Sequence, residues 1–172
     1  MPIRPFALDD CGPAAELSNW FIEHTAVHFG TELQDAAYFE KLWKDTRDRY
    51  PWVTATFDDG TFAGFAKAGM WRDRAAYNWT PEVSIYMVPE ARGKGLGKAL
   101  YRALLDELRL RGFHSAIGGA TLPNEASARL HESVGFVHVG TVRHAGWKFG
   151  AWHDVGFWQV MLSDASHQPK AL

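Results

Sequence analysis

The stretch Arg92-Gly93-Lys94-Gly95-Leu96-Gly97-Lys98 constrains this chain more than any other. It follows Val83-Ser84-Ile85-Tyr86-Met87-Val88, which reads as a central strand with apolar residues on both faces and stops at Pro89. It opens Leu96 to Leu110, where Leu96, Leu100, Leu104, Leu105 and Leu108 fall on one side of an amphipathic helix that Gly112 closes. A glycine-rich turn from strand to helix lets backbone N–H groups converge beside the positive end of the helix dipole, and a pyrophosphate suits that place. Arg92, Lys94 and Lys98 add positive charge. The spacing fits neither the Walker pattern nor the dinucleotide-binding pattern, which disfavours a nucleoside triphosphatase or a dehydrogenase. The alternative reading is a solvated turn whose cations serve solubility.

The rest of the chain supplies strands and helices around this unit. Ile3 to Phe6 reads as a short strand, with Asp9 and Asp10 able to cap a helix that runs through Leu17, Trp20 and Phe21. A second helix starts after Asp35 and carries Phe39, Leu42 and Trp43 before Tyr50-Pro51. Trp52 to Phe57 and Thr61 to Met70 form a hairpin about Asp58-Asp59-Gly60, and Arg72 to Tyr77 is a charged connection. Ser115 to Ala120 reads as a strand, Asn124 to Val134 as a helix, and Val137 to Arg143 and His153 to Leu162 as a last strand pair. These elements give an α/β fold in one domain over residues 1–172, with a polar tail at 163–172. The strand, helix, strand crossover lies in its second half.

Composition removes several classes of function. Eighteen Lys and Arg against twenty Asp and Glu leave a net charge of −2, so no broad basic surface exists for nucleic acid or an anionic membrane. The single cysteine, Cys11, excludes an intrachain disulfide and a thiolate zinc cluster, and suits a reducing, cytoplasmic setting. No apolar run reaches the roughly 20 residues of a membrane span, and the start MPIRPFALDD lacks the apolar core of a signal peptide. His24 and His28 have helical i, i+4 spacing but no third ligand, so no metal is expected. Ser127, His131 and Asp154 lack the Gly-x-Ser-x-Gly elbow of a hydrolase.

At Arg92 to Lys98 the sequence resembles the GNAT superfamily of acetyl-CoA-dependent N-acetyltransferases, whose pyrophosphate loop is Arg or Gln, then x-x-Gly-x-Gly or Ala. Further segments look like the phosphinothricin acetyltransferase branch: Arg49-Tyr50-Pro51-Trp52, Ala76-Tyr77-Asn78-Trp79-Thr80, Glu82 to Val88, Leu122-Pro123-Asn124 with Ser127 and His131-Glu132, Gly135-Phe136, and Gly146 to Gln159. Ala26 to Glu32 follows the family only loosely. The resemblance implies a mixed, mostly antiparallel central sheet flanked by helices, a βαβ acetyl-CoA-binding core and, commonly, a homodimer. It implies no metal and no nucleic-acid or membrane partner, and a small-molecule amine or amino acid as acceptor.

What the resemblance implies for residues starts from the chemistry. An amine is mostly protonated at neutral pH, so a base must take a proton before nitrogen attacks the thioester; Glu82, at the strand entrance, is implied for that role, its alternative being a solvated strand-end carboxylate. The oxyanion calls for a backbone N–H, from Met87 or Val88. Ile85, Tyr86 and Met87 are implied to pair with the pantetheine amides, with Val88 beside them. Arg92, Gly93, Lys94, Gly95, Leu96, Gly97 and Lys98 are implied to hold the pyrophosphate. Asn124 reads as a helix cap and, by resemblance, as a pantetheine contact with Ser127. His131 stands where many relatives carry an acid for the leaving thiolate; whether it is the acid or only packs is open. Arg72 and Arg74, with Val83 and Ser84, are expected on the substrate side, and Trp71, Tyr77 and Trp79 read equally as pocket wall or core. Phe29 and Thr31 are weaker candidates.

The expected activity is transfer of acetyl to the α-amino group of phosphinothricin, methionine sulfone or sulfoximine, or a similar small amino acid. A GNAT enzyme for another amine, such as a polyamine, an antibiotic or a protein N-terminus, and a catalytically silent acyl-CoA-binding module are the alternatives. Of eight tryptophans, Trp20, Trp43 and Trp52 read as ordinary packing. Trp147, Trp152 and Trp158 in the last hairpin read as pocket wall and subunit interface.

Overall fold

The computed structural model describes residues 2–164, 166 and 168, so most of the expected polar tail lies outside the described residues. In chain order the elements are β1 (Ile3–Pro5), α1 (Cys11–His24), α2 (Ala36–Thr46), β2 (Trp52–Thr56), β3 (Phe62–Gly69), β4 (Glu82–Met87), α3 (Leu96–Leu110), β5 (Ser115–Leu122), α4 (Glu125–Ser133), β6 (Val137–Lys148) and β7 (Ala151–Met161). The seven strands form one sheet in the order β1-β2-β3-β4-β5-β7-β6. Only β4 and β5 run parallel, joined through α3; all other neighbours are antiparallel. This is the mixed, mostly antiparallel α/β fold that the sequence implies.

Each face of the sheet has its own core. The leucine stripe of α3 presses on one face, where Leu100, Leu104 and Leu108 are fully buried among Val83, Met87, Ala116, Ala120 and Trp158. On the other face α1 and α2 cover an aromatic cluster in which Phe65 stacks on Trp52 at 6.2 Å and on Tyr86 at 5.4 Å, with Phe39 edge-on at 5.9 Å. Such ring pairs add about 0.5–1.5 kcal/mol each beyond their buried area. The helix α2 starts where expected, with Asp35 Oδ1 accepting the Tyr38 N–H at 2.8 Å.

Asp10 departs from its expected capping role. A 3-10 turn, Leu8–Asp10, precedes α1, and the Asp10 side chain makes no cap to that helix. The carboxylate instead turns back into the protein, accepting from both guanidinium nitrogens of Arg4 at 2.7 Å, from the Ala7 N–H at 2.8 Å and from the Thr54 hydroxyl at 2.9 Å. It thus pins β1 and the start of α1 onto β2.

The last strands are longer than their patterns suggest. Lys148 pairs with Ala151 across a two-residue turn, Phe149-Gly150, both at positive φ. Register breaks at His138/Gly140 and Val142/Gly146 bend β6, the edge strand. In the second bulge the His144 N–H donates to Asp154 Oδ1 at 2.8 Å, which gives Asp154 a structural task. His24 ends α1 and His28 lies beyond it, so the two never share a helix face. Two tryptophans exchange roles: Trp158 is core at 3% exposed, whereas Trp20 is 39% exposed.

Burial raises the pKa of Asp10, but the donors from Arg4, Ala7 and Thr54 outweigh it and the net shift is downward. Its contribution to stability is therefore complete above the unfolded pKa of about 3.9 and is lost as pH falls through the lower folded value. Asp10→Ala leaves the buried Thr54 hydroxyl and the Ala7 N–H unpaired. It is expected to cost about 2–4 kcal/mol in urea unfolding at neutral pH, with the difference from wild type shrinking in strong acid.

Candidate active site

The site begins where two strands part. β4 and β5 are registered only at Glu82 with Ile117 and Val83 with Gly118. Beyond Val83 the edge of β4 that faces β5 has no strand partner. The Val88 N–H donates to Ala63 O on β3 at 3.0 Å, so by strand alternation Tyr86 also turns its peptide groups to β3, while Ile85 and Met87 turn theirs into the gap. Ile85 and Met87 thus turn N–H groups into the gap, while the Met87 carbonyl accepts from Arg92 Nη2 at 3.5 Å. The Val88 N–H, one of the two expected oxyanion donors, is already given to β3, and the Tyr86 backbone is likewise engaged there.

A groove of about 290 Å³ leads to this gap between the end of α1, β4 and α4, and Trp20, Phe21, Ile85, Met87, Ser127 and Leu130 line it. The loop Arg92–Lys98 stands at the β4–α3 junction. Gly93 and Gly95 have φ of 73° and 75°, conformations that an L side chain resists, and Gly95 is the left-handed residue immediately before α3. Arg92 reaches back over the groove, its guanidinium 5.8 Å from the Trp20 ring centre and 5.6 Å from that of Phe21. On the far wall Asn124 caps α4, its Oδ1 accepting the Ser127 N–H at 3.0 Å. A long, flexible ligand ending in a pyrophosphate fits these features: open glycines at a helix start, cations above, and unpaired strand amides below.

The inner end of the groove is a cleft through the sheet, bordered by Ser84, Tyr101, Gly119, Asn124 and His131. Its two sides carry different chemistry. On the α1/α2 side stands Glu82, whose Oε1 would lie 3.5 Å from a methyl group at Gly119. Burial raises the Glu82 pKa, and Lys67 and Arg72 pull it partly back. Lys67 lies opposite Ser84 on β3, on the same face as Glu82, and burial lowers its pKa while Glu82 opposes that shift. Tyr86, one alternation further along, has its phenol pushed up to about 12 by burial and by Glu82.

On the α3/α4 side His131, 3% exposed, stacks on Trp158 at 5.3 Å. Its Nδ1 lies 2.8 Å from Ser127 O; a carbonyl only accepts, so Nδ1 carries the hydrogen and Nε2 presents a lone pair in the neutral ring. Burial lowers the His131 pKa against smaller opposing effects of Ser127 and Glu132, which favours that neutral form. A methyl group at Gly118 would stand 2.2 Å from His131 Nε2 and 3.0 Å from the Tyr101 hydroxyl. The hydroxyl of Tyr101 is buried and has no hydrogen-bond partner among the described residues.

Other expected residues sit less centrally. The Val83 side chain is 2% exposed in the core under α3, so only its backbone borders the cleft, whereas Ser84 is on the Glu82 face. Arg72 is exposed, 5.1 Å over the Trp71 ring, and acts on Glu82 through space; Arg74 is exposed in the same loop. Trp71 and Tyr77 meet edge-on at 5.2 Å. Cys11 is buried at 3% exposed, as a small packing residue would be. Among the described residues no group of three His, Cys, Asp or Glu side chains could hold a metal ion, and no helix is long and apolar enough to cross a membrane.

Lys67, Tyr101 and His28 also come to the cleft, a placement that the sequence reading does not give them. Lys67 had a visible signal, a lone cation inside Phe62-Ala63-Gly64-Phe65-Ala66-Lys67-Ala68. Tyr101, a hydroxyl beside the leucine stripe, had a weaker one. His28 comes to the site through a tertiary contact: the buried Lys148 ammonium donates to Ile22 O and His28 O, both at 2.6 Å, and holds the segment after α1 so that the His28 ring lies 5.8 Å from Tyr86. Phe29, packed against Gly146 and 6.3 Å from the His153 ring, anchors the same segment.

Comparison with known proteins agrees with this architecture. Residues 14–136 match the model of the acetyltransferase (GNAT) family. Phosphinothricin N-acetyltransferase of Streptomyces viridochromogenes is 42% identical over 157 residues, covering 91% of this chain and 85% of that protein. The L-methionine sulfoximine/L-methionine sulfone acetyltransferase of Salmonella typhimurium is 35% identical over 166 residues, with 95% and 96% covered. A solved acetyltransferase from Salmonella typhimurium with its cofactor acetyl-CoA superposes with a TM-score of 0.93 at 33% identity, covering 99% of this chain and 98% of that one. The chain is an acetyl-CoA-dependent N-acetyltransferase and belongs to the GNAT family.

Proposed function

We propose that this protein acetylates the α-amino group of a small amino acid of the kind its relatives are named for, phosphinothricin or methionine sulfone and sulfoximine, with Glu82 as the general base. The observation that carries the reading is the division of the cleft: a carboxylate of raised pKa on one face of the sheet, and an imidazole and a phenol on the other, joined only through the gap between β4 and β5. Acetyl-CoA supplies an activated thioester carbonyl. Ile85 and Met87 hold the pantetheine arm through their free amides, and the Arg92 to Lys98 loop holds the pyrophosphate through N–H groups, the helix dipole and its cations.

Within that frame each residue has a definite proton task. Glu82 takes the ammonium proton of the acceptor, directly or through water, and its raised pKa brings it nearer the strength that proton removal at neutral pH needs. The Met87 N–H faces the gap as hydrogen-bond donor to the developing oxyanion. His131 in its neutral form has no hydrogen at Nε2, so a thiolate on the α3/α4 side meets a donor in the Tyr101 hydroxyl. Burial, with Glu82 adding to it, pushes the Tyr101 pKa up, which keeps that hydroxyl protonated. His131, stacked on Trp158 with its Nε2 near the same point of β5 as that hydroxyl, shapes this side of the cleft, a positioning role.

The base must be ionised to act, so kcat/KM is expected to fall as pH drops through the Glu82 pKa, at a value above the ordinary glutamate pKa of about 4.3. Glu82→Gln is expected to lower kcat by about 10²–10⁴-fold, abolish that acidic limb and leave acetyl-CoA affinity unchanged. Thiol release from acetyl-CoA with methionine sulfone, followed across pH, makes the measurement. Full turnover by the variant across pH overturns the assignment, and release with polyamines but with no amino acid selects the other amine class.

The same reading extends to a homodimer through the last hairpin. Edge strand β6 exposes Val137, Val139 and Val142 at 67%, 55% and 50%, and Trp147, Phe149 and Trp152 continue the patch at its turn. An apolar sheet edge of this kind favours a second chain over water. Light scattering after gel filtration is expected to give twice the chain mass for wild type and the chain mass for Val139→Lys with Val142→Lys; a monomeric wild type refutes the dimer.

A further inference from the structure

Lys148 and Lys67 are treated differently by their surroundings. Lys148 is buried and gives its ammonium hydrogens to the carbonyls of Ile22 and His28, so its role is complete within the fold. Lys67 is half-buried in the middle of β3, and among the described residues its ammonium has no hydrogen bond and no carboxylate within ion-pair distance. It stands over the face of the Trp52 ring, 5.1 Å from the centre, which attracts a cation but accepts none of its hydrogens as an oxygen would. A half-buried ammonium with no carboxylate beside it is a ready partner for an anion that enters there.

The position of Lys67 says which anion. It stands opposite Ser84, and Glu82 stands opposite Gly69, so Lys67 and Glu82 are diagonal neighbours on one sheet face with no side chain interposed at Gly69. Diagonal neighbours lie roughly 7–8 Å apart, a distance that long side chains span. An α-amino acid carries its amine and its carboxylate on one carbon, so an amine docked at Glu82 brings the carboxylate to this side of the base. Resting on the amino-acid reading above, we propose that Lys67 anchors the α-carboxylate of the acceptor and thereby selects free α-amino acids over amines and peptide N-termini. His28, held near Tyr86 on the same face and electrostatically coupled to Lys67, borders this anchor.

The test compares methionine sulfone with its α-carboxamide, which keeps the amine and side chain and removes the charge. Thiol release is measured for wild type, Lys67→Met, Lys67→Gln and Lys67→Arg, each confirmed as folded by thermal melting, at a pH well above the acidic limb. Wild type is expected to prefer the free acid by about tenfold to a hundredfold in kcat/KM. The neutral variants are expected to lose that preference through a raised KM for the acid, and Lys67→Arg to keep most of it. Equal losses for acid and amide in Lys67→Met and Lys67→Gln, or a wild type indifferent to the carboxylate, overturn the proposal while leaving amino-acid acetylation standing. A wild type that turns over polyamines but neither methionine derivative overturns the amino-acid reading itself, and the anchor falls with it.

Discussion

Parallel strands β4 and β5 share two registered pairs and then separate, and most of what this protein can do follows from that separation. A sheet normally satisfies both edges of a central strand, and leaving amides unpaired inside a protein is costly. Here the fold keeps the edge of β4 open by filling the space with α3 and α4 on one side and α1 on the other. The groove, the free amides of Ile85 and Met87 and the passage between the two faces of the sheet are one feature seen from different directions. The amides that face the gap are hydrogen-bonding capacity that the sheet itself leaves unused.

The charges around the passage are arranged by desolvation more than by ion pairs. Exposed pairs such as Arg129 with Glu125 or Arg109 with Asp106 lie on helix surfaces away from the cleft and contribute little. Asp10 is the counter-example, a buried carboxylate with all of its partners inside the protein. Glu82 and Lys67 lie between these cases: each is withdrawn from water, each perturbs the other through space, and neither is neutralised by a direct contact. Groups left in that condition respond strongly to whatever enters beside them.

Much of this was legible in the sequence because local and global signals coincided. The glycine loop, the leucine stripe of α3 and the Asn124 cap each state their structure in a few residues, and the positions of Glu82 and His131 follow from those elements. Other features depend on partners distant in the chain. Whether Val88 or Met87 turns its N–H into the gap is decided by the pairing with Ala63, which no spacing within β4 reveals. Asp10 looked like a helix cap because Arg4 and Thr54 meet it only in the folded sheet. The Phe149-Gly150 turn was hidden because phenylalanine is an unusual residue at positive φ. His28 reaches the site through Lys148, 120 residues away along the chain.

Gly118 and Gly119 are consecutive residues of β5 whose missing side chains belong to opposite faces, one filled by His131 and Tyr101 and the other by Glu82 and Phe157. At that point what separates the carboxylate from the imidazole and the phenol is a single layer of backbone. A layer of peptide has no rotamers of its own, so at these two positions only the side chains reaching toward it from either face can move. A methyl group at Gly118 would collide with His131, 2.2 Å from its Nε2, so that position has room for backbone alone.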